Sequence, residues 1–319
     1  MEVARNDDQS ERALRPTSFA SFLGQEESKQ ILHVSVAAAK SRRDALDHVL
    51  LAGPPGLGKT TLSAIIANEV GSRLIIVNAP TIKSKGDLVG LLLNLRKGDI
   101  LFLDEIHSLH PKVEEVLYPA MEDLRIEVVT GEGAMSAAVS LELEPFTLIG
   151  ATTREGMLSQ PLRDRFGIIV HMKLYTDMEL AQIVASNAPK LGIRIGDAAA
   201  MAVASRSRGT PRVANRILRR CRDFAHYYGH DVITVQVVER TSEAMGLDRL
   251  GLDRVSQHYL QILAERGGPV GLETLCSLTG QGRDTIEDAV EPHLMRLGLV
   301  EKTPKGRVAT QRGRSHVGA

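Results

Sequence analysis

Aromatic residues are scarce in this chain of 319 residues, where they make up 3% of the sequence, and tryptophan is absent. Since apolar residues make up 43% of the chain, aliphatic side chains must fill its core. Cysteine is almost absent too. Cys221 and Cys276 are the two in the sequence, and they lack the spacing of a metal site. A disulfide framework is therefore excluded, and a reducing compartment is indicated.

The chain also lacks an excess of charge and long apolar runs. Its 39 basic residues balance its 39 acidic residues, so any nucleic-acid surface must be local. No apolar run approaches the length of about 18 residues that suggests a membrane helix. The polar start, Met1 to Asp8, is not typical of a secretion signal. We expect a cytoplasmic protein with no membrane contact.

A glycine-rich loop is the most informative motif that is present. Residues 53–61 have the pattern G-x-x-x-x-G-K-[ST], between an apolar stretch at 49–52 and a helix-like stretch at 62–67. Backbone N–H groups in such a loop and at the start of its helix bind phosphate. Lys59 would reach the β- and γ-phosphates, and the hydroxyl of Thr60 would bind Mg²⁺.

Two acids follow a second apolar strand, at residues 100–103. If the strands are parallel, Asp104 and Glu105 lie at the same sheet edge as the glycine-rich loop. Asp104 would hold Mg²⁺ through water. Glu105 would act on the attacking water, either as general base or as an orienting group.

A third strand, at residues 146–150, places polar side chains between these two loops. Thr153 is the first choice for a contact with the water and the γ-phosphate, and Thr152 is the alternative. Beyond it lie Arg163 and Arg165. Either both are ordinary surface residues, or one of them contacts the γ-phosphate bound by a neighbouring subunit. Arg212 lies near the start of a helix that Pro211 opens.

In this order the motifs resemble those of an AAA+ ATPase, and several stretches are similar to the RuvB family. Those stretches are Leu14-Arg15-Pro16, Leu103 to His107, Leu117 to Asp123, Gly150 to Arg154 and Arg208 to Arg212. The resemblance runs from about residue 14 to residue 318. It implies a hexameric ATP-driven motor for branch migration of Holliday junctions in DNA recombination, DNA repair and the SOS response to DNA damage.

The resemblance also implies roles for individual residues. The nucleotide loop comprises Gly56, Gly58, Lys59, Thr60 and Thr61; Leu14, Arg15 and Tyr175 surround the adenine and ribose; Glu122, Asp123 and Leu124 lie near the nucleotide and the subunit boundary. Asp104 and Glu105 are the Mg²⁺-binding and water-activating acids, and Thr153 is the first sensor. Arg165 is the arginine finger and Arg212 the second sensor.

Three domains are expected from this resemblance. Residues 1–172 form a large α/β P-loop AAA+ domain with a β-hairpin at about 125–143, residues 173–246 a small all-helical lid, and residues 247–319 a winged helix. RuvA would bind the hairpin around Gly131–Ala138, and RuvC is a possible further partner.

The end of the chain carries a local basic patch. From His293 onward six basic side chains stand against one acidic side chain, Glu301. Lys302, Lys305, Arg307 and Arg312 are the expected contacts to DNA phosphates. Two other functions stay open: a clamp-loader-type ATPase, and a nucleotide-gated DNA-binding regulator that does not translocate. The basic C-terminal winged helix argues against a clamp loader, which ends in a helical collar. Asp104, Glu105 and Arg165 favour ATP turnover and so argue against the regulator.

Overall fold

A computed structural model describes residues 13–130 and 137–318, with the backbone alone described at residues 129, 130, 137 and 138. The described residues form two compact units. The first comprises the residues up to Glu179 together with Thr210–Arg212, and the second comprises Leu180–Gly209 and the residues from Val213 onward. Within the described ranges, no helix is both long and apolar enough to cross a membrane.

The strands are β1 (Val49–Ala52), β2 (Leu74–Asn78), β3 (Ile100–Asp104), β4 (Arg125–Thr130), β5 (Ala137–Glu142), β6 (Thr147–Thr152), β7 (Ile168–His171), β8 (Arg194–Ile195), β9 (Val232–Ile233), β10 (Val300–Thr303) and β11 (Gly306–Ala309). The α-helices are Glu26–Arg42, Lys59–Val70, Lys85–Leu93, Pro111–Glu114, Leu117–Glu122, Gln160–Arg163, Asp177–Asn187, Asp197–Ser205, Pro211–Tyr227, Val235–Ala244, Arg254–Arg266, Leu272–Thr279, Arg283–Thr285, Glu291–Arg296 and Gln311–His316.

A five-stranded parallel sheet in the order β2-β3-β6-β1-β7 organises the first unit. All of β1 and β6 and most of β3 are buried, as expected for parallel strands covered by helices on both faces. Because β6 lies between β1 and β3, whatever follows β6 emerges between the loops that follow β1 and β3. The carboxyl ends of all five strands meet at one edge of the sheet.

An aliphatic core packs against this sheet. Its fully buried members include Leu50, Leu88, Leu101, Leu103 and Leu148. Phe146 and Phe166 are the buried aromatic rings of this cluster. The scarcity of aromatic residues is therefore met by leucine, isoleucine and valine, as the composition predicts.

In the chain, β4 and β5 form a hairpin between the helix Leu117–Glu122 and β6. The two strands pair antiparallel, from Arg125 opposite Glu142 to Thr130 opposite Ala137. Residues 131–136, which include most of the expected RuvA-binding tip, lie outside the described residues, and so do the side chains of Ala137 and Ala138.

Helices dominate the first part of the second unit. The helices Asp197–Ser205 and Val235–Ala244 pack on each other. Two very short strands, β8 and β9, pair in parallel, which the prediction of an all-helical lid did not include. Asn187 ties the helix Asp177–Asn187 to the helix Pro211–Tyr227, because its amide donates to the amide oxygen of Asn215 at 2.9 Å.

The end of the second unit is a winged helix, as predicted. Its helices surround Tyr259, Leu260 and Leu294, all fully buried, and β10 pairs antiparallel with β11 to form the wing. Between the helices Arg283–Thr285 and Glu291–Arg296 the chain makes a π-helical turn, Ile286–Val290. Pro292, which has no N–H, removes a normal helical hydrogen bond just beyond this turn, a known cause of such irregularities.

Candidate functional site

The glycine-rich loop joins β1 to the helix Lys59–Val70. Gly53, Gly56 and Gly58 have φ values of 147°, 82° and 100°, which other residues rarely adopt. A Cβ at Gly53 would lie 2.7 Å from the carbonyl oxygen of Met172, so close approach also requires glycine there. The helix begins directly after Gly58, and its unpaired N–H groups form an anion-binding site.

The Lys59 ammonium group is buried at this loop. It donates to the carbonyl oxygens of Gly53 at 2.7 Å and Pro54 at 3.0 Å. Burial lowers the pKa of Lys59, the charges of Glu105 and Asp104 oppose that effect, and the nearby Arg212 adds to it. Two cations held beside a row of N–H groups suit a ligand with several negative charges.

Thr60 and Thr61 are the second and third residues of the helix that follows the loop, and both are half-buried. The carbonyl oxygen of Thr60 accepts a hydrogen bond from the Ser63 hydroxyl at 2.8 Å. That bond fixes the first turn of the helix, from which both threonine side chains extend.

Asp104 is the last residue of β3, and Glu105 follows it in the left-handed region, with φ 53° and ψ 44°. The N–H of Glu105 donates to Oδ1 of Asp104 at 3.1 Å. Burial and the charge of Glu105 raise the pKa of Asp104, while that hydrogen bond, Lys59 and Arg212 oppose the rise. A cation would stabilise a carboxylate whose pKa burial raises, and left-handed backbone at a non-glycine residue is common at functional positions.

The two threonines at the end of β6, its last residue Thr152 and the following Thr153, have different surroundings. The hydroxyl of Thr153 donates to Oε2 of Glu105 at 3.1 Å. Thr152 is fully buried; its hydroxyl lies 2.9 Å from Nδ1 of His107 and accepts from the N–H of Arg154 at 3.0 Å. Nδ1 of His107 is itself 3.4 Å from Oε2 of Glu105. Thr153 therefore contacts the acidic pair directly, whereas Thr152 contacts His107, which in turn lies beside Glu105.

Arg212 belongs to the same group of residues. Its backbone N–H donates to the carbonyl oxygen of Gly56 at 3.3 Å, and a Cβ at Gly56 would lie 3.1 Å from the Cβ of Arg212. Its charge acts on both Lys59 and Asp104. Arg212, the residue expected to be the second sensor, thus lies against the phosphate loop.

The residues expected around the base and ribose lie at the start and the end of the first unit. Leu14 is buried and Arg15 is exposed. Tyr175 is buried against Gly24, where a Cβ would lie 2.5 Å from the tyrosine ring, and burial raises the pKa of Tyr175. The Gln25 amide donates to the carbonyl oxygen of Lys173 at 2.6 Å, which ties these two segments together.

Arg165 lies in a second cluster. Its guanidinium group donates to Oε2 of Glu122 at 2.8 Å and to the carbonyl oxygen of Pro161 at 2.6 Å, and it lies over the ring of Tyr118, 4.6 Å from the centroid. The contacts described for Lys59, by contrast, are with the glycine-rich loop. Arg165 instead contacts Glu122, which was predicted to lie near the subunit boundary.

The neighbours of Glu122 are partly exposed. Asp123 pairs with Arg125 at 3.0 Å, with half of each side chain exposed. Leu124 has a φ of 52°, in the left-handed region. This turn presents Glu122 and Asp123 to solvent, where another subunit could reach them.

In the winged helix, Lys302, Lys305 and Arg312 are exposed; the two lysines belong to the wing, and Arg312 belongs to the helix Gln311–His316. Arg307 is buried, and it donates to Oε1 of Glu291 at 2.7 Å and to Oε1 of Glu287 at 3.1 Å. The prediction of a DNA contact at Arg307 is therefore corrected, because its guanidinium group completes a buried ion pair inside the winged helix.

Sequence reasoning missed three residues of the Arg165 cluster. Buried Glu114 accepts hydrogen bonds from the hydroxyls of Tyr118, at 2.8 Å, and Ser159. The spacing of four residues between Glu114 and Tyr118 is the one available signal, since residues so spaced share a face of a continuous helix; the structure divides this stretch into the helices Pro111–Glu114 and Leu117–Glu122. Ser159 lies 41 residues after Tyr118, and nothing local connects them.

A parallel sheet with a phosphate loop after β1, an acidic pair after β3, a polar residue after β6, a helical lid and a winged helix defines a P-loop ATPase of the AAA+ class. Three family models match this chain: the Holliday junction DNA helicase RuvB P-loop domain over residues 14–172, the RuvB AAA lid domain over 175–248, and the RuvB C-terminal winged helix domain over 249–318. The chain therefore belongs to the RuvB family.

Solved structures agree with this assignment. The Thermotoga maritima RuvB Holliday junction branch migration motor is 43% identical to this chain, with a TM-score of 0.85, over 96% of this chain and 98% of that one. Two mutants of the Thermotoga maritima protein are also 43% identical, with TM-scores of 0.86, over 95% of this chain and 98% of theirs. The resemblance and the fold class expected from the sequence are confirmed.

Proposed function

We propose that this chain is the ATP-driven subunit of a motor that moves the branch point of Holliday junctions during DNA recombination and repair. The observation that carries this proposal is the meeting of Lys59, Asp104, Glu105 and Arg212 at one sheet edge, in a chain that ends in a winged helix. Membership of the RuvB family supports it.

The nucleotide is Mg²⁺-ATP in this proposal. The donor set fits it, because a buried ammonium group, an arginine and a helix N-terminus suit the triphosphate, and an aspartate with a raised pKa suits a divalent cation. Gly56, Gly58 and Lys59 would hold the phosphates, and Thr60 and Asp104 would bind Mg²⁺. When bound, that ion neutralises charge on the transferred phosphoryl group.

In this proposal Thr61 extends the phosphate-binding turn, and Leu14, Arg15 and Tyr175 hold the base and ribose. Leu14 and Arg15 lie near the start of the first unit and Tyr175 near its end. Hydrogen bonds between the Gln25 side chain and the Lys173 backbone connect these two segments.

Hydrolysis itself requires a group that takes the proton of the attacking water. Glu105 has that role in this proposal, and Thr153 holds its carboxylate in place through the hydrogen bond to Oε2. Arg212 would respond to loss of the γ-phosphate, because it is bonded to the phosphate loop through Gly56.

A complete site needs a second subunit. Arg165 would stabilise charge on the γ-phosphate of the neighbouring protomer, and Glu122, Asp123 and Leu124 would border that nucleotide. The separate cluster around Arg165 supports this arrangement. We infer that the protein acts as a hexameric ring and that the ring is needed for turnover.

The winged helix would bind duplex DNA through exposed Lys302, Lys305 and Arg312. Phosphate contacts carry little sequence information, which suits a motor that passes over any sequence. RuvA would bind at the hairpin around Gly131–Ala138, RuvC would be a further partner, and the complex would work in the cytoplasm. The winged helix and the RuvB assignment argue against the clamp-loader alternative.

Dissociation of a synthetic four-way junction tests the proposal. The assay compares ATP with a non-hydrolysable analogue, with and without cognate RuvA. We expect dissociation with ATP and RuvA together, and none for a Glu105→Gln variant that still binds ATP. ATP turnover without dissociation, while the ring is seen on the DNA, would instead favour the nucleotide-gated regulator.

A further inference from the structure

The turn that carries Arg165 is joined to the helix Leu117–Glu122 by a buried carboxylate. Glu114, 6% exposed, accepts hydrogen bonds from the hydroxyls of both Tyr118 and Ser159. Ser159 also accepts the N–H of Leu162 at 3.2 Å and so caps the helix Gln160–Arg163, just before Arg165. One carboxylate thus fixes both the aromatic ring and the start of the arginine-bearing turn.

The guanidinium group of Arg165 is held on this frame from two sides. Its face lies over the Tyr118 ring, and its edge is bonded to Glu122 and to the Pro161 carbonyl. The two supports differ in charge. Glu122 is a carboxylate with 57% of its side chain exposed, so it competes with any phosphate for the arginine. The neutral ring face does not compete, and it can stay in contact while the edge of the guanidinium group turns to an anion.

We propose that Tyr118, anchored by Glu114 and Ser159, is a positioning residue that holds Arg165 in place for the triphosphate bound by a neighbouring protomer. This rests on the proposed role of Arg165. Burial and the hydrogen bond to Glu114 raise the pKa of Tyr118, which agrees with a phenol that remains a hydrogen-bond donor.

The direct test replaces the ring. Tyr118→Leu removes the surface under the guanidinium group, and Tyr118→Phe keeps the ring but removes its anchor to Glu114. We expect kcat for ATP to fall by about 3- to 30-fold in Tyr118→Leu, the size of a partly buried cation–π contact. The fall should be smaller in Tyr118→Phe, and KM should change little in both. Tyr228→Leu is the matched control, since Tyr228 carries Arg240 at 5.6 Å in the second unit, and its kcat should not change.

Mixed rings separate positioning from a general structural role. Each variant is mixed with an excess of Glu105→Gln protomers, which cannot hydrolyse ATP but supply an intact Arg165. If Tyr118 positions the arginine that is given to the neighbour, turnover per Tyr118→Leu protomer should rise to that of wild-type protomers in the same excess. Turnover that stays low would overturn the proposal, because the defect would then lie in the variant's own site.

Arg165→Ala in the same excess distinguishes the two levels of inference. If Arg165→Ala is rescued and Tyr118→Leu is not, the arginine acts on its neighbour and Tyr118 does not position it. If neither is rescued, the proposed role of Arg165 fails and the role of Tyr118 fails with it. Ser159→Ala, which keeps the ring but removes its second anchor, gives the same reading if Tyr118→Leu does not fold.

Discussion

The hydroxyl of Thr153 donates a hydrogen bond to Oε2 of Glu105 at 3.1 Å. This bond spans neighbouring strands, because β6 pairs with β3 in the sheet. It connects Glu105, which follows β3, with Thr153, which follows β6, so a shift of either residue moves the other. Glu105 is already in a left-handed conformation, and its carboxylate needs such a partner to stay directed at one place.

Thr153→Val should lower kcat for ATP hydrolysis by about 10- to 100-fold, the value of one hydrogen bond to a charged group. Nucleotide affinity should change little, because the lost bond is to Glu105 and not to the phosphate loop. Steady-state turnover and binding of a fluorescent ATP analogue measure the two quantities. In Thr152→Val the loss should be mainly in stability, since Thr152 is buried against His107. A larger turnover defect in Thr152→Val would reverse the assignment of the two threonines.

Much of this site could be predicted because its residues lie at the ends of strands. Apolar stretches at 49–52, 100–103 and 146–150 indicated the strands, and parallel pairing then brought their following residues to one edge. The sequence favours Thr153 over Thr152 without deciding between them, because both come just after the same apolar stretch. The choice depends on which side chain turns toward Glu105 and which toward His107.

Long-range partners explain the remaining differences. The sequence predicts a DNA contact at Arg307 because it shows the charge of this residue but not its ion pair. The partner, Glu291, lies 16 residues earlier and is brought to Arg307 by the fold. The link from Glu114 to Ser159 spans 45 residues and leaves no local pattern. Local rules do place the helix start at Pro211 and the turn between β10 and β11, because turns and caps depend on neighbouring residues.

Arg165→Ala should bind ATP normally and hydrolyse it roughly 10³- to 10⁵-fold more slowly. The deficit should be repaired by mixing with Glu105→Gln protomers, although each variant alone is inactive, because each supplies what the other lacks. In the matched control mixture, Arg165→Ala protomers are mixed with protomers that carry both changes and therefore have no Arg165 to contribute. Activity in the control mixture equal to that in the first would contradict action on the neighbouring subunit.

Replacing Lys302, Lys305 or Arg312 by alanine should weaken duplex binding to the same degree on any sequence. Each lost phosphate contact should reduce the slope of log affinity against log salt by about 0.9. Fluorescence anisotropy across a salt series measures this slope. Arg307→Ala is the contrasting variant: it leaves Glu291 buried without its main partner, which costs about 3–5 kcal/mol of stability. A lower salt slope in a fully folded Arg307→Ala protein would restore Arg307 as a DNA contact.

The stability of the second unit should fall in acid because of His293. This residue is buried; its Nε2 lies 2.9 Å from the carbonyl oxygen of Leu250, and its Nδ1 lies 2.8 Å from a guanidinium nitrogen of Arg296. Arginine has donors alone, so Nδ1 must accept and Nε2 must carry the single proton of a neutral ring. A second proton would have to lie between Nδ1 and a cation.

Burial, helped by the charges of Arg208 and Arg296, lowers the pKa of His293 to about 4. An unfolded histidine has a pKa of about 6.5, so as the pH falls the unfolded chain takes up this proton first. The free energy of unfolding should therefore decrease between about pH 6.5 and pH 4, by up to about 1.4 kcal/mol per pH unit, and show no further loss from His293 below that range. Urea denaturation followed by circular dichroism measures the slope. His293→Gln, whose amide is neutral at every pH in this range, should show a smaller slope than wild type. Equal slopes in the two proteins would mean that His293 is protonated in the folded chain as readily as in the unfolded one.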